Sequence, residues 1–325
     1  MLATLAAAMA APANLCAGAD EAAVRDEERE VFEKIRDLLK KAGTGPLQSS
    51  ATPHYLCGGD IPESDRMRVG RYCEELLSRA MAMYKLAGFA PRRPERRLTV
   101  VALARHDTFA DIADAAGSDP ARVGFYAQSM RTAFFFLRYR DGELGGPIDW
   151  DQSLRGLGHE AMHQICYGTG LLQVGRDIPS CVNEGLATLG EGGSHDTSNL
   201  LHRHHPDHFA RLSESAPRLP FALTTLFRED DLLEAKNGGA RTNLGYAQAW
   251  LLVTMLMTEA DLRPRFVAYL KAIASRTDRE HRMDDVRTHL GNLKDLELRL
   301  MRRLQKLSEH PPSTYSSPRR GASGR

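Results

Sequence analysis

The segment GLGHEAMHQICYG, residues Gly156–Gly168, carries two histidines four positions apart, with a glutamate directly after the first. In an α-helix, residues four apart lie one turn apart on the same face, so His159 and His163 can direct two imidazole nitrogens at one metal ion. Glu160 lies about 100° further round the helix and can reach a water molecule on that metal without binding the metal itself. The pattern is typical of a zinc site with a carboxylate general base.

The opposite face of the same helix is apolar. Residues spaced three or four apart fall on it, namely Trp150, Leu154, Leu157, Ala161 and Ile165. Asp149 or Asp151 can cap the beginning of this helix. A helix with one buried apolar face and one face turned into a cleft suits an active site. Because H-E-x-x-H arises by chance in such a chain with a probability on the order of a few per cent, a third ligand is needed to support the interpretation.

The segment PSCVNEGLATLGE, residues Pro179–Glu191, offers that ligand. Catalytic zinc usually binds three protein side chains and a water molecule. Glu184 follows His163 at a separation that leaves room for a helix end, a loop and the beginning of a second helix. A carboxylate at the start of that helix can complete a His–His–Glu set.

A helix with H-E-x-x-H followed by a helix that begins E-G-x-A resembles the gluzincin zinc metallopeptidases, the clan of the thermolysin and aminopeptidase groups. The segments GHEAMHQ, PSCVNEGLATLGE, LPFALTTLF and YAQAWLLVTML are also similar to an uncharacterised family of exported bacterial proteins with a peptidase-like domain. The resemblance covers roughly residues 97–256. It implies Zn²⁺ held by His159, His163 and Glu184, with Glu160 as the general base.

The resemblance further implies an oxyanion donor at Tyr246, which opens YAQAW. The alternative for this tyrosine is core packing or a cap contact at the start of an amphipathic helix. Two positions depart from the clan. Thr188 stands where many members have an acidic residue that orients a ligand histidine, and Cys181 and Val182 replace the aromatic residue that often precedes N-E-G.

Two further segments allow more than one interpretation. LHRHHPDH, residues 201–208, holds four histidines in eight residues, which could bind a second metal or supply a catalytic acid. We favour a solvated loop, because Pro206 interrupts any helical register; His195 is a weaker candidate of the same kind. AFFFLRY is either an edge strand to which a substrate peptide adds, as the resemblance implies, or a central strand buried on both faces.

Hydrophobic patterning predicts an α+β fold. Strands are predicted at three places: His54–Cys57, Arg97–Ala104 and Arg131–Tyr139. Helices are predicted at Glu21–Ala42, from Ser64 to near Gly88, and in the C-terminal half at Tyr246–Glu259, Arg263–Arg276 and Asp284–Glu309. With the resemblance, the fold is expected to be zincin-like: a small sheet with the active-site helix, followed by a mainly helical C-terminal subdomain.

The predicted organisation is one metallohydrolase domain at residues 20–309 between a signal peptide at 1–19 and a disordered tail at 310–325. Within the domain we expect a strand-containing half at about 52–148, active-site helices at about 149–195 and a helical half at 196–309. The tail is rich in Pro, Ser and Arg, a composition that cannot bury a core.

Composition limits the partners. The 325 residues include 43 Lys and Arg against 42 Asp and Glu, so the chain lacks the basic footprint of a nucleic-acid-binding protein. The apolar, Ala-rich start and the A-x-A site in CAGA are typical of a secretory signal peptide, although no Lys or Arg precedes the apolar run. No other apolar run approaches membrane length. We therefore expect an exported protein with no stable membrane span; the alternative is a cytosolic protein with an Ala-rich tail.

Export would leave four cysteines, at positions 57, 73, 166 and 181. In an oxidising compartment we expect a disulfide between Cys166 and Cys181, which flank the connection between the two ligand-bearing helices, and a second one between Cys57 and Cys73. The competing interpretation is that these are buried free thiols.

These inferences predict an exported zinc metallopeptidase that acts on a peptide or protein substrate. Zinc lowers the pKa of its bound water, and Glu160 would take the proton as the water attacks a carbonyl. The main alternative is a secreted binding domain that retains the zinc site with little or no catalysis. A second alternative is a cytosolic zinc hydrolase.

Overall fold

The computed structural model describes residues 26–43, 47–142, 144–192, 200, 205–216, 218–234 and 239–309. The predicted signal peptide at 1–19 and the predicted tail at 310–325 lie outside these ranges. So do His195, His202 and His204, three of the histidines singled out above.

The described strands form one mixed sheet in the order β1-β2-β3-β5-β4. Their bounds are β1 (Gln48–Ala51), β2 (Tyr55–Gly59), β3 (Leu98–Leu103), β4 (Gly124–Ala127) and β5 (Thr132–Phe136). β2, β3 and β5 run parallel to one another, while β1 and β4 pair antiparallel at the two edges. The three predicted strands are confirmed as β2, β3 and β5. The short edge strands QSSA and GFYA were not predicted, because neither contains a run of β-branched residues.

Helices cover both faces of the sheet and make up the C-terminal half, so the chain is an α+β protein. Before the proposed site lie α1 (Asp26–Lys41), α2 (Glu63–Leu86) and α3 (His106–Ala115). The helices that follow are α4 (Trp150–Gly168), α5 (Ser180–Ala187), α6 (Pro206–Ser213), α7 (Leu223–Arg228), α8 (Ala240–Thr258), α9 (Arg263–Ile273), α10 (Arg282–Asp285) and α11 (Leu293–Glu309). None of the helices in the described ranges is both long enough and apolar enough to cross a membrane.

The prediction of one continuous helix over Asp284–Glu309 is wrong. A π-helical turn, Val286–Leu290, follows α10, and two non-helical residues, 291 and 292, separate it from α11. Gly291 has a φ of +95°, a backbone conformation that glycine adopts at little cost and other residues avoid. Apolar residues have helical spacing on both sides of this glycine. Periodicity alone therefore predicted a single helix.

Alternate residues of the central strands face two separate cores. Val101 and Phe134 pack with Phe109 of α3 and Ile35 of α1, whereas Phe135 faces the large core that α2, α4 and the C-terminal helices share. This alternation follows from the two-residue period of a strand. β5 is thus a central strand buried on both faces, and the alternative that AFFFLRY forms an edge is wrong. The edge strand on this side of the sheet is β4.

Helix α4 is fixed to the sheet by one side chain. Gln164, directly after His163, donates its amide hydrogens to the carbonyl oxygens of Thr99 in β3 and Arg131 in the β4–β5 turn, at 2.8 and 2.7 Å. At the other end, the Asp149 side chain accepts a hydrogen bond from the Gln152 backbone at 3.1 Å, which confirms the predicted cap. The helix is therefore held at both ends.

Helix α5 is held at its beginning by a buried ion-pair network. The Ser180 backbone amide donates to Asp230 at 2.8 Å, and Arg282 donates to both Asp230 and Asp177 at distances of 2.5 to 3.0 Å. The Arg282 side chain is only 4% exposed. Because α5 carries Glu184, this network connects the proposed ligand to the C-terminal helices.

The predicted disulfides are not formed. Cys57, Cys73, Cys166 and Cys181 are all free and buried, which is the competing interpretation. Cys166 points from α4 towards α2, where its sulfur lies 3.1 Å from the Tyr84 hydroxyl rather than near Cys181. Burial raises the pKa of the Cys57 and Cys166 thiols to about 12, so both are protonated at neutral pH.

We expect Arg282→Leu to lower the free energy of unfolding by about 3–5 kcal/mol, because it leaves Asp177 buried without its cation and Asp230 with only the exposed Arg279. Burial would raise the pKa of Asp230, but the hydrogen bonds from Arg282 and Ser180 outweigh it and lower this pKa. The stabilisation is therefore present above the ordinary carboxyl pKa and is lost as the pH falls through the lowered value. Urea unfolding at neutral pH and at successively lower pH measures both effects.

The matched control is Arg287→Leu, which removes an exposed pair with Asp284. This change should cost at most about 1 kcal/mol. Equal losses for the two variants would contradict the assignment of α5 support to Arg282.

Candidate metal centre

The three predicted metal ligands converge on one point. His159 Nε2 lies 3.1 Å from Glu184 Oε2, and His163 Nε2 lies 3.3 Å from the same oxygen. Ligand atoms on a tetrahedral zinc ion, with bonds of about 2.0–2.1 Å, are about 3.3 Å apart. The side chains are 8–14% exposed, so they form an interior site rather than a surface cluster. The donor set and its spacing fit one zinc ion.

Both histidine rings are oriented by a partner on the other ring nitrogen. His159 Nδ1 lies 2.6 Å from Glu191 Oε1, and His163 Nδ1 lies 3.3 Å from Asn183 Oδ1. The Tyr167 hydroxyl donates to the same Asn183 oxygen at 3.3 Å. Such outer contacts fix the tautomer and the ring plane of a ligand histidine. Here they direct both Nε2 atoms at Glu184.

Glu191 is the acidic residue that orients His159, a role that the resemblance places at residue 188. The Thr188 hydroxyl instead donates to the Gly185 carbonyl oxygen at 2.7 Å within the helix. A 3₁₀ turn, Thr188–Gly190, follows α5 and brings Glu191 back to His159. Sequence reasoning missed both Glu191 and Asn183. Asn183 could have been suspected from its place directly before Glu184, but nothing local indicates that a 3₁₀ turn replaces a further helical turn.

Two glycines allow this turn to reach α4. A Cβ atom on Gly158 would lie 2.1 Å from the Gly190 carbonyl oxygen, and a Cβ atom on Gly190 would lie 2.1 Å from the Gly158 carbonyl oxygen. The Tyr72 hydroxyl of α2 donates to the Gly190 oxygen at 3.3 Å. Because Gly158 precedes His159 and Gly190 precedes Glu191, this backbone contact sets the distance between those two side chains.

The buried carboxylates and histidines of this cluster stabilise one another's charged forms. Burial would raise the pKa of Glu184 and of Glu191, but neighbouring histidines outweigh burial and hold both pKa values below the ordinary range. Burial would lower the pKa of His159, but hydrogen bonds to the two carboxylates outweigh it and raise this pKa well above its usual value. The carboxylates are therefore ionised, and a divalent ion bound here would take the place of the proton on His159.

Glu160 lies at the junction of two cavities. It borders one of about 970 Å³, together with His163 and Glu184, and another of about 710 Å³, together with His159 and Tyr246. Burial raises the pKa of Glu160, against the opposing effect of the two histidines. Edge strand β4 passes directly over it, since a Cβ atom on Gly124 would lie 2.8 Å from Glu160 Cγ.

Tyr246 lies beside the predicted ligands. Its ring centroid is 6.0 Å from that of His159. Burial, the charge of Glu184 and a hydrogen bond to that carboxylate raise the pKa of the phenol well above its usual value. Helix α8 begins at Ala240, so Tyr246 is not at the helix start and is not a cap residue. It packs against the core while its ring faces the ligand cluster.

The interpretation of LHRHHPDH as a solvated loop is wrong for its last two histidines. His205 and His208 are 9% and 8% exposed, and their rings stack with centroids 3.8 Å apart. Pro206 occupies the first turn of α6, a position that proline favours, so it begins a helix instead of interrupting one. His205 Nε2 lies 2.6 Å from Glu191 Oε2. The signal in the sequence was the four-residue frame H-P-x-H, with proline at the first helical position.

A model of a protein family described as "Protein of unknown function (DUF1570)" matches residues 154–279. This segment contains the three predicted ligands and Glu160, and it extends past Glu191 and Tyr246. No curated protein matches the chain.

We expect Gly158→Ala to destabilise the protein by about 1–3 kcal/mol, because the new methyl group must displace the Gly190 carbonyl from α4. The control is Gly156→Ala on the same helix, where a Cβ atom would meet the Val123 side chain at 3.2 Å and would be no nearer than 3.9 Å to the Val123 carbonyl oxygen. Thermal unfolding of both variants measures the difference. A Gly158 variant as stable as the Gly156 variant would show that the contact does not constrain the turn.

Proposed function

We propose that this protein is a zinc-dependent metallopeptidase of the gluzincin type. The observation that carries the proposal is the convergence of His159 Nε2, His163 Nε2 and Glu184 Oε2, with both Nδ1 atoms held by outer partners. A buried glutamate at the meeting point of two cavities supports a hydrolytic rather than a purely structural site, because a structural site needs no general base. Export of the protein is part of the proposal and is tested by N-terminal sequencing of the mature chain.

A bound zinc ion supplies Lewis acidity and lowers the pKa of a coordinated water molecule to about 7. Glu160 would accept a proton from a water molecule that attacks the peptide carbonyl carbon, and would then donate this proton to the departing amine. Its buried position, which raises its pKa, makes the protonated form accessible for the second transfer.

Tyr246 donates its phenolic hydrogen to the oxyanion that develops on the attacked carbonyl. Its raised pKa keeps the phenol protonated at neutral pH, so the hydrogen is available to donate. Donors aimed at a developing charge in a site that excludes water contribute strongly to turnover.

A peptide substrate is supported by edge strand β4. Phe125, Tyr126 and Ala127 of this strand line the larger cavity, which also contains Glu160. An extended peptide can add to such an edge through main-chain hydrogen bonds. The Tyr126 ring lies nearly parallel to that of His163, with centroids 6.5 Å apart, so the strand and the proposed ligands form one continuous wall.

We expect His163→Ala and Glu184→Ala each to lose one equivalent of zinc relative to the wild type and to lose hydrolysis. Glu160→Gln should retain the wild-type zinc content and fold but lose hydrolysis, because the amide cannot accept the proton. Elemental analysis by mass spectrometry and cleavage of a broad peptide library measure the two properties.

The control is His106→Ala, an exposed histidine that contacts Phe136 and lies outside the proposed site. This variant should keep both zinc and activity. Full zinc content in the His163 and Glu184 variants would refute the ligand assignment. A zinc-loaded wild type that cleaves no peptide in the library would favour the binding-domain alternative.

We expect Tyr246→Phe to leave the zinc content unchanged and to lower kcat by roughly a hundredfold, because the oxyanion loses its donor. The control is Tyr139→Phe, a partly buried tyrosine outside the ligand cluster, which should keep kcat within about twofold. An unchanged kcat in the Tyr246 variant would show that Tyr246 packs against the core and does not act in catalysis.

A further inference from the structure

A second group of metal-ligating side chains lies on the far side of His159. Glu191 Oε2 is 2.6 Å from His205 Nε2 and 3.4 Å from His208 Nε2, and one ligand atom from each residue lies within 4.8 Å of the others. We call these three residues the Glu191 cluster. Two imidazoles and one carboxylate make up the same donor set as the first group, and this set suits zinc and related divalent transition metals.

His208 is the observation that points to a ligand. It is 8% exposed, its Nδ1 has no hydrogen-bond partner, and its Nε2 faces Glu191 Oε2 at 3.4 Å without the geometry of a hydrogen bond. Buried polar atoms are almost always paired, because an unpaired one has lost its contact with water and gained nothing in return. The Glu191 oxygen that faces His208 Nε2 is already the partner of His205 Nε2, at the shorter distance. A hydrogen bond to Glu191 therefore does not account for the buried position of the His208 ring.

We propose that the Glu191 cluster binds a second divalent transition-metal ion. Coordination by Glu191 Oε2 and the Nε2 atoms of both histidines would give His208 a partner. The separation of 3.4 Å between Glu191 Oε2 and His208 Nε2 is close to the value of about 3.3 Å between ligand atoms on a tetrahedral zinc ion. This ion is additional to the one that the proposed hydrolysis needs.

Binding would change two existing hydrogen bonds, both of them on His205. His205 Nδ1 now accepts from the His208 backbone amide at 3.3 Å, a long contact. If His205 Nε2 binds the ion, its hydrogen bond to Glu191 Oε2 is exchanged for coordination. The proton moves to Nδ1, which then no longer accepts from the His208 amide. The cavity of about 710 Å³ that His205 and His208 line gives an ion a path to the cluster.

Glu191 connects the two proposed centres. Its Oε1 accepts from His159 Nδ1, while its Oε2 faces the histidine pair. An ion in the Glu191 cluster would thus fix the carboxylate that orients a ligand of the first centre. For the same reason Glu191 is unsuitable as a test residue, because its removal would disturb both centres.

The test counts metal ions in the full chain. Protein stripped with a chelator is reloaded with Zn²⁺, freed of excess metal and analysed by inductively coupled plasma mass spectrometry. We expect two equivalents in the wild type and one in His205→Gln, His208→Gln and His163→Ala. The double variant of His163→Ala with His208→Gln should hold none.

The matched control is His281→Gln. His281 belongs to an exposed group with Asp278 and Glu280, whose spacing could also hold an ion. This variant should keep two equivalents. The proposal is overturned if His208→Gln retains the wild-type zinc content, or if His281→Gln loses one equivalent.

A measurement on the wild type covers the case in which the histidine variants do not fold. Crystals of the zinc-loaded protein should give two anomalous-difference peaks at the zinc absorption edge, one among His159, His163 and Glu184 and one among the Glu191 cluster. A single peak at the first position overturns the second site and leaves the proposed peptidase intact. A single peak at the second position would contradict the proposed function instead.

Discussion

The contact between the backbones of Gly158 and Gly190 is the constraint on which the arrangement of the proposed site depends. It joins α4, which carries two of the predicted ligands, to the turn that follows the third. No side chain larger than hydrogen fits at either position without separating the two segments. This close contact allows the Glu191 carboxylate on the turn to reach Nδ1 of His159 on α4.

The side chains around this contact are titratable groups at a depth where isolated charges are unfavourable. They are tolerated because each is paired: His159 lies between Glu184 and Glu191, and Glu191 in turn lies between His159 and His205. Removing a single member takes one partner from each of its buried neighbours, which is more costly than removing an exposed pair. The pairing makes the group act as one electrostatic unit.

The surrounding fold holds the two ligand helices from opposite directions. Gln164 connects α4 to the sheet, whereas Asp230 and Arg282 connect the beginning of α5 to the C-terminal helices. Neither set of bonds touches the predicted ligands, yet together they fix the relative position of the two helices. Support of this kind keeps a site within the small tolerance that metal coordination and catalysis require.

Features that depend on short-range spacing could be predicted from the sequence. The four-residue separation puts His159 and His163 on one helical face, the β-branched run at Leu98–Leu103 forms a strand, and Asp149 caps α4. Each of these follows from contacts within a turn or two of the chain. Periodicity failed where one residue changes the path of the backbone, as Gly291 does between α10 and α11.

Other features arise from contacts between distant segments, which local patterns do not encode. Glu191 rather than residue 188 orients His159, because a 3₁₀ turn brings it against α4. His205 and His208 are buried, because α6 packs on α8 and closes over that carboxylate. Cys166 faces Tyr84 and not Cys181, because α2 covers that side of α4. In each case the residue type was visible in the sequence, but its neighbour was set by how the helices pack across the chain.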